Sequence, residues 1–262
     1  MTKTTLPAER FRERFQLRNP FHVNLLSEFT ATFMLLFLVT GVGVQFVLTR
    51  GLLNAYINLN IGVGFAIALC VYSTYNTSGA HLNPAVSITM VTLGLLSIPH
   101  FFGYVLVQTV GAFFGHQILK FTHGAKLITG HNATAGLFCS FPEAHVTNSS
   151  AFFDQIFGTF ILMFFIMIVI DPRNRIPKYL HPLFFGFILI VIGNSYGMNV
   201  GFHNYYFWIP IVAPMIGGPL GAWTYIALIG AHLKDPVIVI AKTEPVTLRN
   251  GAPDELQALS ED

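Results

Sequence analysis

Hydrophobic residues form six long runs along the chain, and nearly all of the charged residues lie outside these runs, in the connections and in the two terminal stretches. Each run is close to the roughly 20 residues that a helix needs to cross the hydrocarbon core of a bilayer. The pattern therefore predicts an all-α membrane protein with six transmembrane helices. The predicted spans are Leu25 to Leu48, Ile57 to Tyr75, Phe101 to Leu119, Ala151 to Ile170, Leu180 to Met198 and Phe207 to Ala231.

Composition agrees with a membrane protein. Of the 262 residues, 53% are hydrophobic and only 10% are charged, and the mean hydropathy is +0.60. A soluble domain of this size would carry far more charge. The first run is predicted to be retained rather than cleaved as a signal peptide, because a long basic stretch precedes it and Glu28 lies within it. Residues 1–22 are predicted to form an N-terminal arm, 23–232 the transmembrane domain, and 233–262 a mostly disordered tail.

Lysine and arginine residues indicate the orientation of the spans. They are concentrated in the arm, in the link between the fourth and fifth spans, and in the tail. Short cytoplasmic loops are enriched in these residues, so both termini are predicted to be cytoplasmic, with the plasma membrane as the expected location. The long third-to-fourth connection would then be extracellular, and its sequons predict glycosylation at Asn132 and Asn148. The basic arm suits an anionic inner leaflet, not nucleic acid.

A short motif predicts a helix that begins inside the membrane. Asn83 is a good N-cap and Pro84 suits the first helical position, so Asn83-Pro84-Ala85 is a helix start. The apolar span before the motif is long enough to cross a bilayer, whereas the helix after it, to about Leu96, is too short to cross back. This combination predicts a re-entrant half-helix. Non-helical backbone at that depth must be buried in protein or line a water-filled cavity, so the motif indicates a pore or substrate site.

An internal repeat relates the two halves of the chain, residues 23–122 and 151–232. Three matches occur in the same order, and two of them contain small residues that let helices approach closely. Because each half has three spans, the halves must be inverted relative to each other, which places the functional site where they meet at the midplane. The matches are Glu28–Phe33 with Gln155–Phe160, Gly64-Phe65 with Gly186-Phe187, and Gly111, Ala112 and Gly115 with Gly217, Gly218 and Gly221.

Besides the Asn-Pro-Ala run, eight short motifs occur along nearly the whole chain: Gly41–Gln45, Thr49–Gly51, Asn132–Ala135, Phe138–Pro142, Asp154-Gln155, Asp171–Asn174, Gly193–Asn199 and Trp208–Pro210. Together with that run they resemble the major intrinsic protein family, and within it the aquaglyceroporins. The resemblance implies a six-helix bundle with two half-helices in a lipid bilayer, usually a tetramer with one pore per subunit that passes water and small polyols such as glycerol.

The resemblance also assigns roles to individual residues. In relatives, the positions of Val63 and Gly193 line the narrow filter, where these two residues would leave a wide pore suited to polyols, although helix packing is the default interpretation of each alone. Glu28 is expected to brace the re-entrant loop, with Gln155 at the matching position of the second half. The expected pore-lining residues of the motif are His81 and Leu82, through backbone carbonyls, and Asn83, Pro84 and Ala85.

The second half departs from the family pattern. The repeat alignment places Gly201–Phe207 on Gly79–Ala85, so there is no second Asn-Pro-Ala. The resemblance implies, in that second run, an arginine that closes the narrowest part of the pore, the filter, but no arginine occurs between Arg175 and Arg249. Only 12 residues separate Tyr205 from Gly217, against 28 from Asn83 to Gly111. The sequence thus predicts an aquaporin-like inverted 3+3 repeat with one half-helix retained and the second missing, through an internal deletion.

Two functions remain open at this point. One is a channel for water and glycerol whose conduction is impaired or altered by the missing half-helix. The alternative is a non-conducting subunit that assembles with full-length relatives, in a homo- or hetero-tetramer, and modulates them.

Enzymatic chemistry has no support in the sequence. No nucleophile elbow, phosphate loop or paired-carboxylate arrangement occurs, so we expect no enzyme and no cofactor. The ten histidines are scattered, without metal-ligand spacing on a shared helix face, and no metal site is predicted. Cys70 and Cys139 indicate no disulfide framework.

Overall fold

The computed structural model describes residues 6–49, 52–53, 55–123, 146–196 and 206–235, and in these residues it contains helices and no strands. Four short 3₁₀ helices lie at Pro172–Asn174, Lys178–Leu180, Tyr206–Trp208 and Gly230–His232. The α-helices are α1 (Pro7–Phe15), α2 (Pro20–Leu48), α3 (Tyr56–Thr74), α4 (Pro84–Thr92), α5 (Ile98–His123), α6 (Asn148–Ile170), α7 (His181–Ser195) and α8 (Ile209–Leu228).

Six helical segments are long and apolar enough to span a membrane, which confirms the six predicted spans. The first four are α2, α3, α5 and α6, the fifth is α7 together with the 3₁₀ helix before it, and the sixth is α8 together with the 3₁₀ helices on both sides of it. Their ends differ from the predicted ones by a few residues. The largest difference at a start is in α2, which begins at Pro20 rather than Leu25. Asn19 explains this start, because its Oδ1 accepts the Phe21 N–H at 2.9 Å and so caps the first turn.

The helices pack in the same way in the two halves. In the first half α2 packs along α5 and also against α3, and in the second half α6 packs along α8 and also against α7. The halves meet where α3 packs on α7 and where α4 packs on α8. The inverted repeat predicted from the sequence is therefore present in the helix packing.

Glycines allow the closest of these contacts. A Cβ atom at Gly111 would lie 2.6 Å from the carbonyl oxygen of Phe29, and one at Gly115 would lie 2.5 Å from that of Phe33, so α5 crosses α2 with backbone against backbone. The equivalent contacts of the second half are Gly217 with Ile156 and Gly221 with Phe160. These are the residues that the repeat alignment pairs, which means that the same crossing is built twice.

The remaining matched pair of glycines, Gly64 and Gly186, lies where the two halves meet. A Cβ atom at Gly64 would lie 2.6 Å from the carbonyl oxygen of Gly186, and one at Gly186 would lie 2.5 Å from the carbonyl oxygen of Gly64. This reciprocal contact joins α3 to α7. The repeat alignment pairs the same two glycines, so equivalent positions of the two halves contact each other here. Neither position has room for a larger residue without a backbone shift.

Helix α4 is the predicted half-helix. It has nine residues, a length of about 14 Å, which is too short to cross a bilayer. It ends at Thr92 rather than near Leu96, because Gly94 has a φ of +73° and closes the helix in a Schellman motif. In that motif the Leu95 N–H donates to the Met90 carbonyl at 2.8 Å.

The corresponding connection in the second half is short. Helix α7 ends at Ser195, and α8 begins at Ile209 directly after the 3₁₀ helix Tyr206–Trp208. The described part of this connection contains no counterpart of α4. Most of the segment that aligns with Gly79–Ala85 lies outside the described residues, so the missing half-helix stays a prediction.

Candidate functional site

The carboxylate of Glu28 holds the segment that enters α4. This buried side chain accepts two backbone N–H groups, from His81 at 2.9 Å and from Leu82 at 2.8 Å. It also accepts the Ser78 hydroxyl at 2.6 Å and the Gln108 amide at 2.9 Å. Glu28 therefore connects α2, the re-entrant segment and α5 through one group. Hydrogen bonds to an ionised acceptor are among the stronger ones in proteins.

These hydrogen bonds support an unusual backbone. Gly79, Ala80 and Leu82 have φ values of +85°, +54° and +53°, in the left-handed region that costs non-glycine residues about 1–2 kcal/mol each. A trans peptide directs its N–H and C=O in opposite directions. Since the N–H groups of His81 and Leu82 point to Glu28, the carbonyls of Ala80 and His81 point away from Glu28. Both residues line the cavity described next.

A cavity of about 440 Å³ lies beside the re-entrant segment. Its walls are mainly apolar, with side chains of α3, α4, α6 and α7 such as Val71, Met90, Ile166 and Phe185. Polar groups converge from the re-entrant segment, and Asn76 and Lys178 add two more. Hence the cavity has an apolar wall with hydrogen-bonding groups concentrated on the side of the re-entrant segment.

Asn83 presents hydrogen-bond donors to this cavity. Its Oδ1 accepts the Ala85 N–H at 2.8 Å, as expected for an N-cap. This bond fixes the amide orientation and leaves the two Nδ2 hydrogens free to donate to a molecule in the cavity. The positive end of the α4 dipole lies at the same point and disfavours cations there.

The predicted pore residues lie in different surroundings. His81, Leu82 and Asn83 line the cavity, whereas Pro84 and the buried Ala85 form the first turn of α4. Val63, half-buried on α3, and Gly193 are not among the lining residues of this cavity.

Gly193 packs against α3 instead. A Cβ atom at this position would lie 2.6 Å from Oδ1 of Asn60, and the Gly193 carbonyl accepts the Tyr56 hydroxyl at 3.2 Å. The contacts of Gly193 are therefore those of a helix interface.

Gln155, at the position matching Glu28, has other contacts. It is half-buried on α6, and its Nε2 donates to Oδ2 of Asp154 at 3.3 Å. Asn148 is exposed in the first turn of α6, and Thr147 caps that helix by accepting the Ser150 N–H. Asn132 lies outside the described residues, so glycosylation of either asparagine stays a prediction.

The family model described as Major intrinsic protein matches residues 17–225. The chain belongs to this family. It is 33% identical to mouse aquaporin-9, over 88% of this chain and 92% of that protein, and 31% identical to aquaporin-3 of the tardigrade Milnesium tardigradum, over 85% and 81%. Among solved structures it resembles the aquaglyceroporin from Plasmodium falciparum, with a TM-score of 0.73 and 26% identity, over 80% of this chain and 97% of that one.

Family membership establishes the general class of this major intrinsic protein. It is a multi-pass membrane protein of the channel type and not an enzyme, as the sequence predicted. The alignment with mouse aquaporin-9 spans 273 positions, more than the 262 residues of the chain, although it covers only 88% of the chain. The mouse protein therefore has residues without a counterpart here.

Several cavity residues of this family member were missed by sequence reasoning. Ala80 lines the cavity, and its only sequence signal is its place in the motif. Leu162, Ile166 and Ile170 line the cavity from α6, four residues apart in each case. Residues four apart share one face of a helix. Because α6 is apolar all round, however, this spacing gave no signal for which face lines the cavity.

A second buried carboxylate, Asp171, lies in the motif Asp171–Asn174 that carried part of the resemblance. Its Oδ1 accepts the backbone N–H and the Nε–H of Arg173, both at 2.9 Å, and its Oδ2 accepts Nη2 of Arg173 at 2.7 Å and the Tyr225 hydroxyl at 2.8 Å. Arg173 also donates to the Gly230 carbonyl at 2.6 Å. The hydrogen bonds from Arg173 lower the pKa of Asp171 to about 2. This network ties the α6–α7 link to the end of α8.

Proposed function

We propose that this major intrinsic protein is a passive channel of the aquaglyceroporin type for water and small neutral solutes such as glycerol. The observation that carries the proposal is the cavity at the N-terminus of α4. Its volume of about 440 Å³ lies within the range of roughly 300–1,000 Å³ that is usual for small-molecule sites. Its hydrogen-bonding groups come from the re-entrant segment and from Asn76 and Lys178, and the rest of its lining is mainly apolar.

The chemistry of glycerol fits this arrangement. Its hydroxyl groups can donate to the carbonyls of Ala80 and His81 and accept from Nδ2 of Asn83, while its carbon backbone contacts the aliphatic wall. A neutral solute loses little free energy when it moves from water into such a site, because its hydrogen bonds to water are replaced by hydrogen bonds to the protein. An ion would lose most of its hydration here.

The channel is further proposed to conduct less than, or differently from, a complete family member. One half-helix, α4, presents its positive end to the cavity, whereas the described part of the α7–α8 connection contains no counterpart. The extra length of the aligned mouse aquaporin-9 supports a deletion in this chain. Without a second dipole end and the filter arginine, exclusion of charged solutes becomes weaker.

A second candidate function is a non-conducting subunit. The outward faces of the long helices are intact and apolar, with exposed side chains such as Phe102, Leu106 and Phe113 on α5. Such faces suit both lipid and neighbouring subunits of a homo- or hetero-tetramer in the plasma membrane, with both termini in the cytoplasm. In this role the chain would alter the number or location of complete relatives.

Osmotic swelling of proteoliposomes tests the channel. Purified protein in vesicles is expected to reswell them faster than empty vesicles in a glycerol gradient, and to speed shrinkage in sucrose. Asn83→Asp keeps the oxygen that caps α4 but replaces the two N–H donors, so glycerol permeability should fall severalfold. The matched control is Asn58→Asp, an exposed asparagine on α3. Rates equal to those of empty vesicles, with folded and inserted protein, would contradict the channel.

Co-expression with a complete relative tests the second candidate function, the non-conducting subunit. If the chain is a modulating subunit, it co-purifies with a complete relative and lowers glycerol uptake by cells that express both. Unchanged uptake without co-purification would count against this role.

A further inference from the structure

The N-terminal helix α1 lies outside the bundle. Every residue from position 6 to position 20 is exposed, including two aromatic side chains, Phe11 at 66% and Phe15 at 62% of their full accessible area. Their rings contact each other, with centroids 4.5 Å apart. A nine-residue helix has marginal stability in water unless it binds to a surface. We therefore expect the exposed phenylalanine pair to contact an apolar surface outside the bundle.

The residues of α1 are sorted into three zones around the helix. At 3.6 residues per turn, the apolar residues share one face, arginines border that face on both sides, and the two glutamates lie opposite to it. The apolar face holds Pro7, Ala8, Phe11 and Phe15, the arginines are Arg12 on one border and Arg10 and Arg14 on the other, and the glutamates are Glu9 and Glu13.

This arrangement is suited to a lipid surface. Arginine side chains at the border of an apolar face can place their aliphatic stems along the acyl boundary and their guanidinium groups among headgroup phosphates. The glutamates then face the water. A protein groove would not require cations at both borders. With Arg18, the arm from residue 6 to residue 20 has four arginines against two glutamates, which favours an anionic surface.

The chain connection keeps α1 near the bilayer. Between Phe15 and Pro20 the chain can span at most about 18 Å. Helix α2 has 29 residues and is about 43 Å long, longer than the roughly 30 Å hydrocarbon core, so its first turn reaches the headgroup layer. The exposed phenylalanines are thus tethered beside the one large apolar phase within their reach.

We propose that α1 is an interfacial helix that binds the anionic lipid surface next to the first span, with Phe11 and Phe15 at the acyl boundary and arginines at the lipid phosphates. The inference depends on membrane insertion of the chain and is independent of whether the pore conducts.

Spin labels on the full-length protein test this arrangement. Single cysteines replace Ala8, on the apolar face, or Glu13, on the opposite face, in a Cys70→Ala, Cys139→Ser background; both phenylalanines are retained. In vesicles of phosphatidylcholine with phosphatidylserine, the Ala8 site is expected to be at least about threefold more accessible to oxygen, relative to a water-soluble nickel complex, than the Glu13 site. In phosphatidylcholine alone the difference should become smaller.

Two sets of variants distinguish the apolar from the ionic contribution to the binding of α1 to lipid. Replacing both Phe11 and Phe15 by serine should abolish the difference between the two labels in every vesicle. Replacing Arg10 and Arg14 by glutamine should abolish the response to phosphatidylserine. The control, Glu9→Gln with Arg10 and Arg14 retained, should keep that response. Thermal unfolding of the bundle should be unchanged in all of them, because α1 is exposed along its whole length.

Two results would overturn the proposal. One is equal accessibility of the Ala8 and Glu13 labels in both kinds of vesicle. The other is protection of the Ala8 label that is the same in detergent micelles and in both kinds of vesicle, which would assign the apolar face to a second copy of the chain instead of lipid.

Discussion

The first half of the bundle, α2 to α5, and the second half, α6 to α8, share one helix packing but bury a carboxylate in different places. Glu28 lies in the interior and accepts the N–H groups of the re-entrant segment. Asp171 lies at the end of α6 and joins the α6–α7 link to α8. In the first half the buried carboxylate holds the backbone of the candidate site, and in the second half it stabilises the link between α6 and α7 by joining it to α8.

This difference explains why the two halves can diverge around a common frame. The crossings of α2 with α5 and of α6 with α8 depend on glycines and backbone contact, which need no polar partner. The re-entrant segment has polar backbone that must be satisfied at membrane depth, so it depends on Glu28. The described part of the second half contains no such segment, and its residue matching Glu28 is Gln155, which bonds to its neighbour Asp154 instead.

The largest expected effect is at Glu28. Glu28→Gln replaces one carboxylate oxygen with an N–H₂ group that faces donors, so we expect a loss of about 3–5 kcal/mol in the free energy of unfolding. Unfolding by sodium dodecyl sulfate in mixed micelles measures this loss. The matched variant Gln155→Ala should cost less than about 1 kcal/mol, since Gln155 is half-buried and bonds to its neighbour Asp154. Equal losses would remove the contrast between the halves.

The glycine crossings should respond equally in both halves. Gly115→Ala and Gly221→Ala each place a Cβ against a backbone oxygen of the facing helix, and we expect a loss of about 2 kcal/mol for each. Gly43→Ala on α2 is the control, because no atom lies within 4 Å of a Cβ there, and it should be neutral or slightly stabilising. Thermal unfolding in detergent would show this pattern, and a loss in only one half would argue against equivalent crossings.

The buried charge of the second half should appear in the pH dependence of stability. The pKa of Asp171 is lowered to about 2 in the folded chain, so its contribution is fully present above about pH 4 and is lost as the pH falls toward 2. The contribution amounts to about 2 kcal/mol. Asp171→Asn should flatten this part of the profile of unfolding midpoint against pH. A wild-type profile that matches the variant would contradict the role of Arg173.

The smallest expected effect on stability separates capping from transport. Asn83 caps α4 and Thr147 caps α6, so replacing either by alanine should cost about 1 kcal/mol. Only Asn83→Ala should also change glycerol permeability, because only Asn83 lines the cavity. Swelling assays beside unfolding curves give both quantities. A permeability change of similar size in Thr147→Ala would indicate a general loss of folded protein.

The sequence predicted the helices more accurately than the surroundings of single side chains. Hydrophobic runs gave six spans within a few residues, and Asn83-Pro84 gave the start of α4. The end of α4 was placed near Leu96 instead of Thr92, because Gly94 lies in an apolar stretch and its turn geometry was not recognised. Gly193 was assigned to the filter through family resemblance, and this role stays a prediction; its contacts with Asn60 and Tyr56 were not predicted.

The sequence by itself determined the membrane class, the six spans, the repeat and the re-entrant start at Asn83, since each depends on local composition or on residues adjacent in the chain. Only the tertiary structure decided that Leu162 and Ile166 line the cavity beside the re-entrant segment, and that Gln108 shares Glu28 with that segment. The physical reason is that helices apolar on every side carry no periodic signal for their rotation. Their facing residues are set by close contacts of glycines with the backbone of residues far away in the chain.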